Sequence, residues 1–116
     1  MLLTVCTPTY NRAHTLPRLY ESLVRQTSQD FEWLVVDDGS TDGTRELVDG
    51  WTAEGRIRIR YVYKDNGGKP SAHNLGVKMT AGELFFCVDS DDYLTDNAVE
   101  VEIGRASCRE RVCLSV

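Results

Sequence analysis

Short apolar runs alternate with amphipathic segments along this chain of 116 residues, and that alternation restricts what the chain can fold into. The run at residues 84–88 is apolar throughout, and the runs at residues 2–6 and 31–36 are apolar except for Thr4 and Glu32, which is typical of strands that are buried on both faces. Residues 57–63 begin with alternating apolar and charged side chains, which predicts a strand at the rim of the sheet. Strands that alternate with helices predict an α/β fold with a mainly parallel sheet and right-handed crossovers.

An amphipathic segment follows each strand, and each segment has residues suited to begin or end a helix. Thr15 and Thr95 stand where a side chain can cap a first helical turn, and Pro70 can occupy such a turn. Gly55 and Gly82 stand where a helix can end, because glycine readily adopts the left-handed conformation found there. We therefore expect one helix after each of the four predicted strands.

The composition excludes several classes of protein. A net charge of −5 argues against a nucleic-acid partner, because phosphate contacts require clustered lysine and arginine. No apolar run approaches the roughly 18 residues of a membrane-spanning helix, and the first residues lack the basic start of a secretory signal, which favours the cytoplasm. The four cysteines have neither zinc-type CxxC spacing nor the pattern of a disulfide framework, so we expect reduced thiols.

The last residues of the chain differ in character from the rest. Helical periodicity is lost from Ile103 onward, and three arginines fall within residues 103–112 after an acidic stretch. This segment resembles the translation of a common short-read sequencing adapter in the reverse sense. We therefore expect residues 1–102 to be a partial domain and residues 103–116 to be a non-native tail, which we exclude from the fold prediction.

An acidic cluster follows the predicted strand at residues 84–88. Asp89 and Asp91 are two residues apart, so their carboxylates point the same way in an extended chain, with Asp92 beside them. Paired carboxylates repel each other unless a cation neutralises them, and hard oxygen ligands suit Mg²⁺ or Mn²⁺, which also bind diphosphates. The alternative is that Asp91 or Asp92 only turns the chain ahead of the next helix.

Two other strand ends also carry polar side chains. Asp37 and Asp38 end the second strand, where a carboxylate can accept a base N–H or a ribose hydroxyl, or can simply cap a helix. The first strand ends in residues 7–12, which offer hydroxyls, an aromatic ring and a cation. Lys69 opens the third helix, where the helix dipole favours an anion. Because the carboxyl ends of parallel strands meet at one edge, we expect these groups to share a crevice.

Four motifs in order resemble those of family 2 glycosyltransferases, which have the GT-A fold, a Rossmann-like, mainly parallel sheet with flanking helices. The resemblance covers residues 2 to about 101 and rests on TPTYNR at 7–12, VVDDGSTDGT at 35–44, GGKPSAHNLG at 67–76 and DSDD at 89–92. Each motif is moderately specific, and the four in this order are highly specific. The resemblance implies a truncated GT-A domain that comprises its nucleotide-sugar-binding half.

The resemblance also implies roles for individual residues. Asp89 and Asp91 would form a DxD motif that engages the ribose and a Mn²⁺ or Mg²⁺ ion, with Asp92 as the alternative to Asp91 as a metal ligand. The substrate-binding residues implied in this way come from all four motifs and are Thr7, Pro8, Thr9, Tyr10, Arg12, Asp38, Lys69, Asn74 and Asp89.

For function, the resemblance implies inverting transfer of a sugar from a nucleoside diphosphate donor to an acceptor hydroxyl. The family's commonest donor is a UDP-sugar, and its acceptors include glycans and lipid-linked sugars of bacterial cell-surface polysaccharides. The family's catalytic base is an aspartate further along the chain than this sequence reaches, so we expect no catalytic residue and no activity in this chain alone. The parent protein is expected in the cytoplasm or at the inner face of the membrane.

Two other functions use similar chemistry. A receiver-like signalling domain also gathers carboxylates and a lysine around Mg²⁺, but it would take phosphate from acetyl phosphate and ignore UDP. A nucleotidyltransferase of similar fold would prefer a nucleoside triphosphate and usually has a glycine-rich, basic first loop, whereas residues 7–12 contain no glycine. An α/β fragment without function is the third alternative.

Overall fold

The structure is a computed structural model that describes residues 3–79, 84–106 and 113–115, without the side chains of residues 69–71, 73, 105, 106 and 113–115. Strands and helices alternate, as the sequence predicts. The strands are β1 (Leu3–Thr9), β2 (Phe31–Asp37), β3 (Ile59–Tyr63), β4 (Leu84–Cys87) and β5 (Cys113–Ser115). The helices are α1 (Leu16–Val24), α2 (Thr44–Glu54), α3 (Lys69–Met79) and α4 (Ala98–Ala106).

The strands form one sheet in the order β3-β2-β1-β4-β5, and every pairing is parallel. This confirms the predicted α/β fold and places β3 at the rim. The chain steps from β1 to β2 and β3 on one side and then returns to β4 on the other side of β1. A ligand crevice is expected where the direction reverses, which here is the carboxyl end of β1 and β4. None of the described helices is long and apolar enough to cross a membrane.

Each face of the sheet carries its own apolar cluster. On one face Trp33 packs with Tyr20 and Trp51, whose rings are stacked with centroids 4.3 Å apart, under α1 and α2. On the other face Cys6, Leu34, Val36, Phe85 and Cys87 pack against Ala72 of α3. The sheet is therefore the middle of three layers, which explains why β1, β2 and β4 are buried along their whole length and consist mostly of apolar residues.

Helix α3 approaches the sheet closely at Gly76. A Cβ atom built on Gly76 would lie 2.5 Å from the Sγ of Cys6, a distance that side-chain atoms do not adopt without a shift. We expect Gly76→Ala to lower the free energy of unfolding by about 1–3 kcal/mol, because the added methyl group overpacks this layer. Chemical denaturation of the variant and the wild type measures the change.

A second helical glycine provides the control for this prediction. Apart from its chain neighbours and the backbone of its own helix, no atom of the described residues lies within 4 Å of a Cβ built on Gly50 in α2, so Gly50→Ala is expected to leave stability unchanged or to raise it slightly. Adding Cys6→Ala to Gly76→Ala should recover part of the lost stability. Equal stability of Gly76→Ala and Gly50→Ala would show that the close contact is unimportant.

Strand β1 is longer than the sequence predicts, because it continues through Thr9 instead of ending at Cys6. Along β2 the pairing extends to Thr9↔Asp37, whereas along β4 it ends at Cys6↔Cys87. The Cys6 carbonyl accepts the Val88 N–H, so Pro8, two residues on, faces the β4 side, where it has no N–H to donate. The two strands therefore separate after Cys6, and a crevice opens between them.

Two predicted helix caps are wrong, although the end of α2 at Gly55 is confirmed by its left-handed φ of 68°. Thr15 precedes α1, but its hydroxyl makes no capping bond and donates instead to the Ser90 carbonyl. The Thr95 hydroxyl donates to Asn97 Oδ1, and the buried Gln26 side chain accepts the Val99 N–H of α4. Both differences involve partners distant in sequence: a backbone carbonyl accepts the Thr15 hydroxyl, and the Gln26 side chain takes an N–H group at the start of α4. Gly82 lies outside the described residues.

The predicted tail contains regular structure. Helix α4 extends to Ala106, so the expected loss of helical periodicity at Ile103 is wrong: Ile103 lies one turn after the buried Val99 and packs against the same core. Strand β5 pairs in parallel with β4. Residues 107–112 and 116 lie outside the described part, and the origin of residues 103–116 as a non-native segment stays a prediction.

Candidate functional site

A crevice of about 570 Å³ lies at the carboxyl ends of β1 and β4, where the strands separate. Three polar loops meet there, from the ends of β1, β2 and β4, together with the loop before α3. This is the edge at which parallel sheets bind ligands. The lining residues are Pro8, Thr9, Tyr10, Asn11, Arg12, Asp38, Asn66, Gly68, Ala72, Asp89, Ser90 and Asp91.

The residues after β4 form a tight turn, which we call the acidic turn, residues 89–92. The Asp92 N–H donates to the Asp89 carbonyl at 3.0 Å, so the aspartates do turn the chain, as one alternative predicts. The turn also gathers carboxylate oxygens of Asp89, Asp91 and Asp92 within 4.8 Å of one another. Oxygens this close repel when ionised, and a hard divalent cation relieves that repulsion, so the donor set fits Mg²⁺ or Mn²⁺.

Asp38 lies at the opposite wall and is 4% exposed. Its carboxylate accepts hydrogen bonds from Lys64 Nζ at 2.6 Å and from the backbone N–H groups of Gly67 and Gly68 at 2.9 and 2.8 Å. Burial raises the pKa of Asp38, but the Lys64 ammonium and the two amides outweigh it and hold the pKa below its ordinary value of 3.8. Asp38 is therefore ionised at neutral pH and orders the loop before α3.

Lys64 lies outside the motifs that the sequence singles out, although its position in the chain could have pointed to it. Lys64 follows β3 directly, and its own N–H donates to the Asp37 carbonyl, so it belongs to the same row of strand ends. The two loops also approach closely at Gly39, which has a φ of +88° and where a Cβ would lie 2.9 Å from Asn66 N. A glycine is required there for both reasons.

The two threonines at the end of β1 have different environments. The Thr7 hydroxyl is fully buried and accepts the Trp33 Nε1–H bond at 2.9 Å, and Thr7 is not among the residues that line the crevice. Thr9 is 3% exposed and lines the crevice, and its Oγ1 has no hydrogen-bond partner among the described residues. A buried hydroxyl without a partner is costly, so Thr9 is suited to bind a polar ligand group.

The loop after Thr9 is held by the loop after β2. Asn11 has a left-handed φ of 51°, its N–H donates to Ser40 Oγ at 2.8 Å, and its side-chain oxygen accepts the Thr41 N–H at 2.8 Å. This arrangement presents the exposed Tyr10 ring and the Arg12 guanidinium to the crevice. Asn11 is thus a positioning residue that sequence analysis missed, although asparagine tolerates this conformation better than most residues.

The remaining predicted site residues lie on α3. Lys69 is the first residue of α3, next to the lining residue Gly68, and its side chain lies outside the described part. Asn74 is exposed further along the helix and does not line the crevice. Of the residues that the sequence singles out, the structure therefore brings Pro8, Thr9, Tyr10, Arg12, Asp38, Asp89 and Asp91 together.

Comparison with known proteins gives consistent matches over most of the chain. Residues 4–115 match the sequence model of Glycosyl transferase family 2. Glycosyltransferase GlyG of Streptococcus pneumoniae is 37% identical over 100 residues, which cover 85% of this chain and 33% of that protein. The chain therefore spans about a third of this relative.

Solved structures share the fold. S. aureus TarS 1–349 in complex with UDP-GlcNAc superposes with a TM-score of 0.84 and 31% identity, over 92% of this chain and 31% of that one. A mannosyltransferase from Pyrobaculum calidifontis in complex with GDP-Man and Mn²⁺ gives a TM-score of 0.73 and 30% identity, over 78% of this chain and 28% of that one.

Proposed function

The chain belongs to glycosyltransferase family 2, and from that premise we propose that its crevice binds the nucleoside diphosphate of a sugar donor, specifically a UDP-sugar. The observation that carries the proposal is the convergence of Thr9, Asp38 and the acidic turn on one crevice. These groups offer a buried hydroxyl that no other described residue bonds, an ordered carboxylate and carboxylates able to bind a cation. The complexes of TarS with UDP-GlcNAc and of the mannosyltransferase with GDP-Man support the same ligand class.

Each wall of the crevice has a part in the proposed binding. Asp38 accepts an N–H of the base, and Thr9 bonds a polar group of the nucleoside, which gives its hydroxyl the partner it lacks. Tyr10 offers a ring for stacking, and Arg12 offers a fixed cation for phosphate. Lys69, at the start of α3, is assigned to the phosphates because the amides and dipole of a helix start favour anions.

Asp89 and Asp91 are proposed to hold Mn²⁺ or Mg²⁺, with Asp92 completing the set. Their half-buried to exposed carboxylates leave the cation open to further oxygen ligands from a diphosphate. When bound, such an ion supplies charge neutralisation for a departing nucleoside diphosphate. The Mn²⁺ complex of the mannosyltransferase supports this cofactor class. Thr7 and Asn74 are left out of the site, because neither lines the crevice.

The complete protein is proposed to transfer the sugar with inversion to a hydroxyl of a glycan or lipid-linked acceptor, at the inner face of the membrane. Among the described residues, the carboxylates that line the crevice are Asp38, Asp89 and Asp91, and all three are assigned to the donor side. A base that deprotonates the acceptor would then come from elsewhere in the complete protein. This chain alone is accordingly expected to bind the donor without turning it over.

The proposal predicts Mn²⁺-dependent binding of UDP to this chain. Isothermal titration should show saturable UDP binding with Mn²⁺ present, and Asp91→Asn should weaken it by about 10- to 100-fold, because a metal ligand is lost. Asp49→Asn is the matched control, since Asp49 is exposed on α2, away from the crevice, and loses the same charge.

Other ligands separate the alternative functions in the same titration. ATP binding tighter than UDP binding would favour a nucleotidyltransferase, and phosphorylation by acetyl phosphate without UDP binding would favour a receiver-like domain. UDP binding that ignores Mn²⁺ and the Asp91→Asn change would contradict the proposed metal site. Transfer from a panel of UDP-sugars to acceptors by this chain would overturn its expected inactivity.

A further inference from the structure

Helix α1 and the residues that flank it hold the acidic turn and the chain directly after it through side chains that do not line the crevice. We propose that Thr15, Ser22 and Gln26 are positioning residues that fix the three carboxylates of the turn in a cation-binding arrangement. This inference rests on the proposed function, because it concerns the divalent cation assigned to Asp89 and Asp91.

Thr15 holds the turn itself. Its hydroxyl donates to the Ser90 carbonyl at 2.9 Å, and Ser90 lies between Asp89 and Asp91. Thr15 precedes α1, but its side chain makes no capping bond to that helix. Its hydroxyl also lies 3.1 Å from the Arg12 carbonyl, and its shorter contact is the one across the fold to the peptide group between Ser90 and Asp91.

Ser22 and Gln26 hold the chain directly after the turn. Ser22 Oγ accepts the Leu94 N–H at 3.1 Å and donates to the Leu19 carbonyl at 2.7 Å. Gln26 Nε2 donates to the Thr95 carbonyl at 2.7 Å and to the Ser22 carbonyl at 3.0 Å. Gln26 Oε1 accepts the Val99 N–H at 2.9 Å, so both polar atoms of the Gln26 side chain bond the backbone between Thr95 and Val99.

These bonds are suited to precise placement because they are buried and paired. Ser22 is fully buried and Gln26 is 5% exposed, and buried polar networks that are fully satisfied favour a single arrangement. Outside the network, the Arg18 guanidinium lies 4.0 Å from the centroid of the Tyr93 ring. The turn, at Ser90, and the chain directly after it are thus attached to α1 and the residues that flank this helix.

The acidic turn needs this support because its carboxylates repel one another. Without restraint the turn would relax by separating the oxygens that now lie within 4.8 Å, and a cation would have to bring them back together. Supporting groups that hold ligands in place reduce this cost, and loss of such groups typically weakens metal binding by about 10- to 100-fold. Thr15, Ser22 and Gln26 are placed to give that support.

The test is Mn²⁺ binding to this chain, measured by electron paramagnetic resonance of the free ion. Thr15→Val keeps the shape of the side chain but loses the hydroxyl, and we expect it to weaken Mn²⁺ binding by about 10-fold, whereas Thr15→Ser should bind as the wild type does. Gln26→Met should weaken binding at least as much. Gln29→Met is the control, since the side chain of the exposed Gln29 makes only one of the bonds described, to the Gln26 carbonyl.

Circular dichroism at the same temperature separates positioning from folding. Weaker Mn²⁺ binding by folded Thr15→Val, restored in Thr15→Ser, supports the inference, and it does so even if Gln26→Met does not fold. Wild-type binding that depends on Asp89 and Asp91 but is unchanged in Thr15→Val overturns this inference alone. A wild-type chain that binds no Mn²⁺ overturns the inference and the proposed metal site together.

Discussion

Replacing Asp38 by alanine is expected to weaken UDP binding by about 100-fold and to lower the free energy of unfolding by roughly 3–5 kcal/mol. The first effect follows from the loss of the proposed base contact and of the loop that Asp38 orders. The second follows because Lys64, 17% exposed in its side chain, and the amides of Gly67 and Gly68 lose their shared acceptor. Titration with UDP and Mn²⁺, and urea denaturation without ligand, measure the two effects separately.

The control for Asp38→Ala is Asp49→Ala, which removes the same charge from an exposed position on α2. Asp49→Ala is expected to change stability by less than about 0.5 kcal/mol, as surface substitutions usually do, and to leave UDP binding intact. A loss of stability in Asp38→Ala without a loss of UDP affinity would limit Asp38 to a structural role. Equal behaviour of the two variants would refute both parts of the prediction.

Acid should remove the contribution of Asp38 in a defined pH range. Its pKa lies below the ordinary value of 3.8 in the folded chain, so the unfolded chain binds this proton first as pH falls. The stabilisation is therefore present in full above pH 4 to 5 and is lost as pH falls through the lowered pKa. We expect the stability difference between the wild type and Asp38→Asn to shrink below about pH 4 in acid denaturation curves.

The features that follow from local pattern could be predicted from the sequence. Apolar runs locate β1, β2 and β4, and alternation places β3 at the rim, because each signal depends on side chains within one strand. Asp38 and Asp89 fall in one crevice because parallel strands carry their polar ends to one edge. The predicted end of β1 at Cys6 is wrong. Residues 7–9 are Thr-Pro-Thr, a composition typical of turns, but their pairing with β2 keeps them extended.

The features that depend on distant partners could not be predicted in this way. Gln26 caps α4 across 73 positions of sequence, and the Thr15 hydroxyl bonds a carbonyl 75 positions away. Lys64 pairs with Asp38 across 26 positions. Each of these side chains also bonds a carbonyl close to it in sequence. The additional bond to a distant partner depends on how α1 and β3 pack against their neighbours, which a local sequence pattern does not show.

Trp33→Ala is expected to lower the free energy of unfolding by about 3–5 kcal/mol, because it leaves a cavity beside the stacked rings of Tyr20 and Trp51 in the larger apolar cluster. Trp33→Phe keeps an aromatic ring but loses the indole N–H that the Thr7 hydroxyl accepts. Thr7→Val removes the other half of that bond and should cost about 1–3 kcal/mol, since Trp33 Nε1 is left buried without an acceptor. Urea denaturation of the single and double variants gives the coupling energy of the pair.

Comparing Thr7→Val with Thr9→Val tests the substrate-binding role that the family resemblance implies for Thr7. The Thr7 hydroxyl is fully buried and accepts the Trp33 indole N–H, whereas the Thr9 hydroxyl lines the crevice and has no partner within the described part of the chain. Thr9→Val should therefore weaken UDP binding by about 10-fold through the loss of one hydrogen bond, whereas Thr7→Val should lower stability and leave the affinity of the folded chain unchanged. Weakened UDP binding by folded Thr7→Val would instead mean that the Trp33 bond breaks when the nucleotide binds and that Thr7 turns towards it.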